Sequence, residues 1–447
     1  MASAAMNINT RSGPLNQEKV SSKACYMLFF SALVISMGIQ FVLAFANHGD
    51  ADVLTFNYVW ATTPIQSIFH IYDIPSLDYP PLFPVALRLL RPLLLSFPET
   101  LPRFLLMKCI PIAGTGLLGF ILVKFSKRHN ADNLLLVAFI CFFTLLNPAI
   151  IFNASIWGQV DVLLILLLVV SFTSLFEGKP YLACLYFAVG CLTKLQFCYF
   201  AIPFVIVLFL LFPLTKALKA LLACLVIGVT AWLPFILASE NIMLPFDVYL
   251  GGSGKYQYLN LQALNLYGIW TIFGADSSAK ILGLMNGNSI NLLVLLIATL
   301  LFSFLAFKSK KEPQRIFLAL GALIDVIFIF STQQHERYQI PIIGFLILAM
   351  IYSERNSDFW MLQFFTVITY INQVFAYYGG YFSEVSPRWF ENIFHICAGV
   401  NLLVSVFFII YAFHPDLLKP LGSIAKVSVS NGTGNLPTET LRPESEL

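Results

Sequence analysis

The sequence predicts an all-α fold: a polytopic membrane helix bundle of about ten to thirteen transmembrane helices, with short helices in a long first external loop. Three observations predict it. Hydrophobic residues make up 58% of the 447-residue chain and charged residues only 11%, where soluble domains carry about 25%. Mean hydropathy is +0.81. Segments of roughly 17–22 apolar residues recur between short polar loops, a length that matches the apolar thickness of a bilayer. A water-soluble fold of this size needs a polar surface that this composition does not supply.

The first span, 24–46 (ACYMLFFSALVISMGIQFVLAFA), is too long for a signal-peptide core and lacks a small-residue cleavage site, so it reads as a retained helix. Residues 1–23 before it are the expected cytoplasmic N-terminal segment. Further spans are expected near 103–124, 131–150, 160–176, 181–195, 198–214, 219–238, 288–307, 316–332, 340–353, 359–378 and 393–413. The pieces within 181–214 are short and interrupted, which leaves the count open. Residues 24–413 thus form one transmembrane domain. The remainder, 414–447, is rich in Ser, Thr, Pro, Gly and Glu and is expected to be a disordered cytoplasmic tail.

Orientation follows from Lys and Arg in short loops. Arg11, Lys19 and Lys23, the KFSKRH run at 124–129, Lys216 and Lys219, KSKKEPQR at 308–315 and Lys419 all fall on one side when the chain is threaded through these spans. That side is cytoplasmic. The opposite, external or lumenal side receives 47–102, the turn at 147–160, 239–287, the segment around HERY (335–338) and 379–392. The net charge of +3 reflects this loop bias and gives no argument for nucleic acid. Cys184, Cys191 and Cys198 recur every seven residues, a spacing that fits packing along a helix face better than a soft-metal site, since no other ligand type accompanies them. No disulfide framework is indicated, and no internal repeat of the inverted-transporter kind is visible.

Ionisable groups at membrane depth cost several kcal/mol unless paired or hydrated, so they point to a functional cavity. Five blocks stand out, all on the external side. HGDADV (48–53) brings Asp50 and Asp52; LDYPPLFP (77–84) brings Asp78 and Tyr79 before a rigid Pro-Pro corner. NPAIIFNASIWGQVD (147–161) brings Trp157, Gln159 and Asp161, with Trp157 and Asp161 expected on one helix face at i, i+4. LTKLQF (192–197) puts Lys194 and Gln196 into an interrupted span, and HERY brings His335, Glu336, Arg337 and Tyr338. Each has a plainer reading: solvated loop acids at 50 and 52, a helix cap at Asp78, an interfacial Trp157, a structural Asp161–Lys194 pair, a polar outer cap at HERY.

Together they form a chemical set. Arg, Lys and His suit phosphate oxygens, and a carboxylate near a hydroxyl serves as general base. Phosphate binding plus a base fits group transfer from a lipid-phosphate donor to an acceptor hydroxyl. No phosphate-cradling GxxxxGKS/T or GxGxxG loop occurs in a usable context, so a nucleotide donor is not supported. Lone acids at these spacings define no metal site, and a divalent-metal requirement stays open.

GD at 49–50, DYPPL at 78–82, WGQVD at 157–161, TKLQ at 193–196, QALNLYGIW at 262–270 and HERY at 335–338 resemble, in order and spacing, the multi-spanning GT-C glycosyltransferases that use polyprenyl-phosphate sugars. The likeness is to bacterial relatives of the second mannosyltransferase of GPI-anchor assembly and, more distantly, to the dolichol-linked glucosyltransferases. It covers about residues 45–345. The resemblance implies transfer of mannose or glucose, with inversion, to a glycan, glycolipid or protein acceptor at the external or lumenal face. It implies Asp50 as base with Asp52 as the other candidate, Asp78 as a second acid of the site, and His335 and Arg337 with Lys194 on the donor phosphate. Glu336 and Tyr338 orient them, while Tyr79, Trp157, Gln159, Asp161, Gln196, Gln262 and Asn265 contact substrate. Leu195, Gln262 and Tyr267 depart from the family pattern, which leaves sugar and acceptor unassigned. The implied home is a bacterial plasma membrane, or endoplasmic reticulum in a eukaryote. The alternative class is a secondary transporter or lipid flippase with a polar relay.

Overall fold

Burial sorts the helices of this chain into those that meet lipid and those that the protein itself covers. The computed structural model describes residues 22–49, 52–75, 77–97, 100–130, 133–255, 258–278, 284–353 and 356–418. Asp50 and most of the expected disordered tail lie outside these residues. The first span is α1 (Ser22–Ala46). The segment after it folds into a π-turn at Asp52–Asn57, α2 (Tyr58–Thr62), a 3₁₀ turn at Ile68–Asp73, α3 (Leu82–Leu89) and α4 (Arg91–Ser96).

The bundle continues with α5 (Thr100–Asn130), α6 (Leu134–Thr144), α7 (Pro148–Ile151) with a π-turn at Phe152–Trp157, α8 (Asp161–Phe176) and α9 (Pro180–Cys191). After a 3₁₀ turn at Leu195–Phe200 come α10 (Ala201–Leu211), α11 (Leu214–Ser239) and α12 (Leu244–Lys255). Strands β1 (Tyr258–Leu261) and β2 (Phe273–Asp276) pair antiparallel, with Asn260 opposite Gly274, and bracket a 3₁₀ turn at Tyr267–Ile269. This hairpin is the departure from an all-α expectation among the described residues. The chain ends through α13 (Gly287–Lys308), α14 (Pro313–Phe330), α15 (Pro341–Tyr352), α16 (Asn356–Tyr377), α17 (Gly379–Val385), α18 (Pro387–Phe413) and a turn at Pro415–Leu418.

Eight of the described helices are long and apolar enough to cross a membrane, so the chain is an integral membrane protein. The expected spans at 160–176, 181–195, 198–214 and 340–353 correspond to four shorter apolar helices. In α15 the brevity has a physical reason. Every residue of α15 from Pro341 to Ile351 is buried, so this helix has no lipid-facing side to match to the bilayer. In α14, 78% of the apolar window is buried, against 17% in α11. α14 and α15 therefore form the centre of the bundle, with α8 packed on α15, while α11 faces outward.

Two sequence readings are corrected here. Trp157 and Asp161 do not share a helix face, because Gly158 adopts the left-handed conformation (φ 82°, ψ 24°) and ends the π-turn. The chain then restarts as α8 at Asp161. Nor does Asp78 cap α3: Pro81 occupies the cap position, with no side-chain hydrogen bond there.

Candidate functional site

The site is built on a corner where two glycines are required. Gly49 and Gly158 both have left-handed backbone, at φ 84° and 82°, a region that costs a residue with a Cβ about 1 kcal/mol or more. A Cβ on Gly158 would lie 2.5 Å from Val53 Cγ2, and one on Gly49 2.7 Å from the same methyl. The GD and WGQ segments thus close on each other around Val53. Lys108, on α5 and wholly buried, ties the corner from behind. Its ammonium donates to the carbonyls of Asn47 at 2.8 Å and Ile156 at 2.9 Å.

This corner aims Asp52. Trp157 Nε1 donates to Asp52 Oδ2 at 2.9 Å, and Gln159 Nε2 donates to the same oxygen. Both donors are neutral, so they orient the carboxylate without cancelling its charge.

Behind the corner lies a buried charge network. Lys194 and Asp161, each 1% exposed, form an ion pair. Lys194 sits in extended backbone (φ −150°, ψ 138°) in the break between α9 and the Leu195–Phe200 turn, so the interrupted span exists where the lysine needs it. Asn153 donates to Asp161 Oδ2 at 3.0 Å. Arg337 Nε lies 3.6 Å from the same oxygen and finds no hydrogen-bond partner there, while Nη1 pairs with Glu336. His335 Nδ1 is 3.6 Å from the other oxygen of Glu336. The guanidinium lies over two rings, 5.4 Å from the Trp157 centroid and 5.7 Å from that of Tyr338. Burial works to raise the Glu336 pKa, but Arg337 and His335 outweigh it and hold the carboxyl at about 2. Burial also opposes the Arg337 charge; Glu336, Asp52 and Asp161 overcome it and raise its pKa.

The DYPPL corner completes the wall. Leu82 N–H donates to the Leu192 carbonyl at 2.9 Å, which docks this corner beside Lys194. Tyr79 packs against Trp60, ring centroids 5.2 Å apart and planes tilted by 51°. Burial raises the Tyr79 phenol pKa, with Arg337 opposing and the acids Asp161, Asp52 and Asp78 adding to it, so it stays a neutral hydroxyl.

These pieces enclose a cavity of about 680 Å³. Asp52, Asp78, Tyr79, Gln159, Gln196, His335, Arg337 and Tyr338 line it. The remaining expected residues sit elsewhere. Lys194, Asp161, Trp157 and Glu336 are outside the lining and act on it through Arg337, Asp52 and His335. Asn265 is fully buried, its amide spent on the carbonyls of Phe328 and Ser331 and on the N–H groups of Tyr267 and Gly268. Gln262 lies against α17, its amide 3.2 Å from where a Gly379 Cβ would be, and its carbonyl accepts from Asn372. The QALNLYGIW segment therefore serves as framework around the hairpin.

Sequence reasoning passed over Trp60, Tyr199, Tyr249, Asn288, Asn291, Gln333 and Gln334, all on the wall. Gln333 and Gln334 stand directly before HERY, a signal that was readable. Lys108 was readable too, as a lone ammonium inside an apolar span. Among the described residues no group of three or more His, Cys, Asp or Glu is placed to hold a metal ion.

No protein-family model matches this chain, and no curated protein matches it.

Proposed function

We propose that this protein is a membrane hexosyltransferase of the GT-C kind, moving mannose or glucose from a polyprenyl-phosphate carrier to an acceptor hydroxyl at the external or lumenal face. One observation carries the reading: a single cavity is lined by the carboxylates Asp52 and Asp78 together with Arg337 and His335. That set suits a reaction in which a carboxylate takes a proton and phosphate charge develops beside cations.

In this reading the donor phosphate meets Arg337 and His335. The acceptor oxygen attacks the anomeric carbon from the face opposite the phosphate. The bond from that carbon to the phosphate oxygen breaks, its electron pair leaving with the polyprenyl phosphate, so the configuration inverts. Asp52 takes the hydroxyl proton, held in place by Trp157 and Gln159; Asp50 is the second acid to test, and Asp78 shapes the same wall. Glu336 and Asp161 keep Arg337 charged and oriented. The basic loops at 124–129 and 308–315 support a cytoplasmic position for the opposite side of the bundle.

The test is transfer by purified protein from labelled polyprenyl-phosphate hexoses to saccharide and peptide acceptors. Product formation that Asp52→Asn or Asp50→Asn removes supports the reading. Ion-driven solute uptake into vesicles, with no transfer, would favour the transporter class instead.

A further inference from the structure

Besides the charged groups described, the cavity wall carries neutral amides from the first turns of α13 and the segment Ser331–Gln334: Asn288, Asn291, Gln333 and Gln334. Their mutual bonds use only half of their capacity. Thr332 Oγ1 donates to Asn291 Oδ1 at 2.9 Å, and Gln333 Nε2 donates to Asn288 Oδ1 at 2.9 Å and to Ser277 Oγ at 3.2 Å. The Asn288 carbonyl is thereby occupied, that of Asn291 shares the single Thr332 proton with the Gly287 carbonyl 3.1 Å away, and both Nδ2 groups remain as donors.

Gln334 is only 5% exposed. Its Nε2 donates to the Thr332 carbonyl at 3.3 Å, while its Oε1 has no hydrogen-bond partner among the described residues. A buried amide oxygen left unbonded is destabilising, a deficit that a ligand donor would remove.

We infer that this amide-lined stretch of wall is a saccharide subsite, in which the two Nδ2 donors and the Gln334 Oε1 acceptor meet hydroxyls of an uncharged hexose unit. Each sugar hydroxyl both donates and accepts, and carboxamides offer the matching pair of functions. A phosphate or carboxylate ligand would call for cations, which the cavity supplies at His335 and Arg337 and not among these four amides. The subsite rests on the hexosyl-transfer reading only for the identity of its sugar. That sugar belongs either to the lipid donor or to the acceptor, with the same recognition chemistry in both cases.

The experiment uses the full chain in lipid nanodiscs and measures binding of methyl mannoside, methyl glucoside, sugar-free polyprenyl phosphate and polyprenyl-phosphate hexose. The variants are Gln334→Leu combined with Asn291→Ala and, at the exposed rim where folding is least at risk, Asn288→Ala. The expected result is hexoside binding weakened tenfold or more in the double variant and severalfold in Asn288→Ala, with sugar-free polyprenyl phosphate bound as before. Parallel loss for the hexosyl lipid places the subsite on the donor sugar; its retention places the subsite on the acceptor. Three results overturn the inference: wild-type protein that binds no hexoside, variants that bind hexosides normally, or equal weakening for the sugar-free lipid. Because binding is read without turnover, protein that binds hexosides but transfers nothing would overturn the transferase reading alone.

Discussion

Trp157 Nε1 donates to Asp52 Oδ2 at 2.9 Å, joining the acid that follows the first helix to the left-handed corner that precedes α8. The bond links two segments more than a hundred positions apart in the chain and leaves the carboxylate on the cavity wall. A hydrogen bond to a charged group contributes about 1.5–3 kcal/mol. Trp157→Phe keeps the ring under Arg337 and removes only the donor. It should lower kcat about tenfold or more with little change in thermal stability, whereas Asp52→Asn should lower kcat by about 10²–10⁴, the range of general-base catalysis. Steady-state transfer kinetics check both, and an unchanged rate in Asp52→Asn would remove that residue as base.

The Lys194–Asp161 pair is closed off from solvent, so removing one partner strands the other charge. Lys194→Met and Asp161→Leu should each destabilise the protein by about 3–5 kcal/mol. The double variant Lys194→Met/Asp161→Leu should recover part of that loss, since no buried charge then lacks its counterion. Thermal unfolding in detergent reads the cycle; additive losses would mean that the two side chains do not act as a pair.

Gly158 is subject to two separate constraints, backbone conformation and space. Gly158→Ala places a Cβ at φ 82° and 2.5 Å from Val53 Cγ2, so a loss of about 2–4 kcal/mol is expected from strain and overpacking together. Adding Val53→Ala removes the clashing methyl and should restore the packing share but not the backbone share. If Val53→Ala restores nothing, Val53 is not what closes this corner.

Glu336 gives a pH signature. Its pKa falls on folding from the ordinary 4.5 to about 2. A lowered carboxylate pKa means that the unfolded chain binds the proton more readily, so the stabilisation is complete above about 4.5 and disappears as pH falls towards 2. Linkage puts its size at about 3 kcal/mol. The stability difference between wild type and Glu336→Gln should therefore be flat from pH 7 to 5 and shrink below that. A difference that grows on acidification would contradict the assignment. Melting temperatures across pH 3–7 measure it.

The polar blocks HGDADV, DYPPL, WGQVD, TKLQ and HERY were legible because charge inside lipid is costly and apolar spans leave few places for it. Their convergence on one cavity follows from that cost. The interruption at Lys194 was legible as well, as a polar pair splitting an apolar run. The i, i+4 reading of Trp157 and Asp161 failed because Gly158 breaks the helix between them, and a lone glycine in an apolar segment does not announce a left-handed corner. The amides at 262 and 265 drew notice for their resemblance, yet Asn265 spends its groups on backbone, while Asn288, Asn291, Gln333 and Gln334 reach the wall.

The sequence by itself determined that this chain lives in a membrane and which ionisable residues must find shelter there, since both follow from the free energy of moving side chains between water and lipid, which is a property of composition. Which sheltered residue touches the cavity, as Arg337 does, and which stands behind it, as Lys194 does, was decided only by the tertiary structure. That choice depends on how α8, α9, α14 and α15 pack and where Gly49 and Gly158 turn the backbone, and such contacts join residues far apart in the chain.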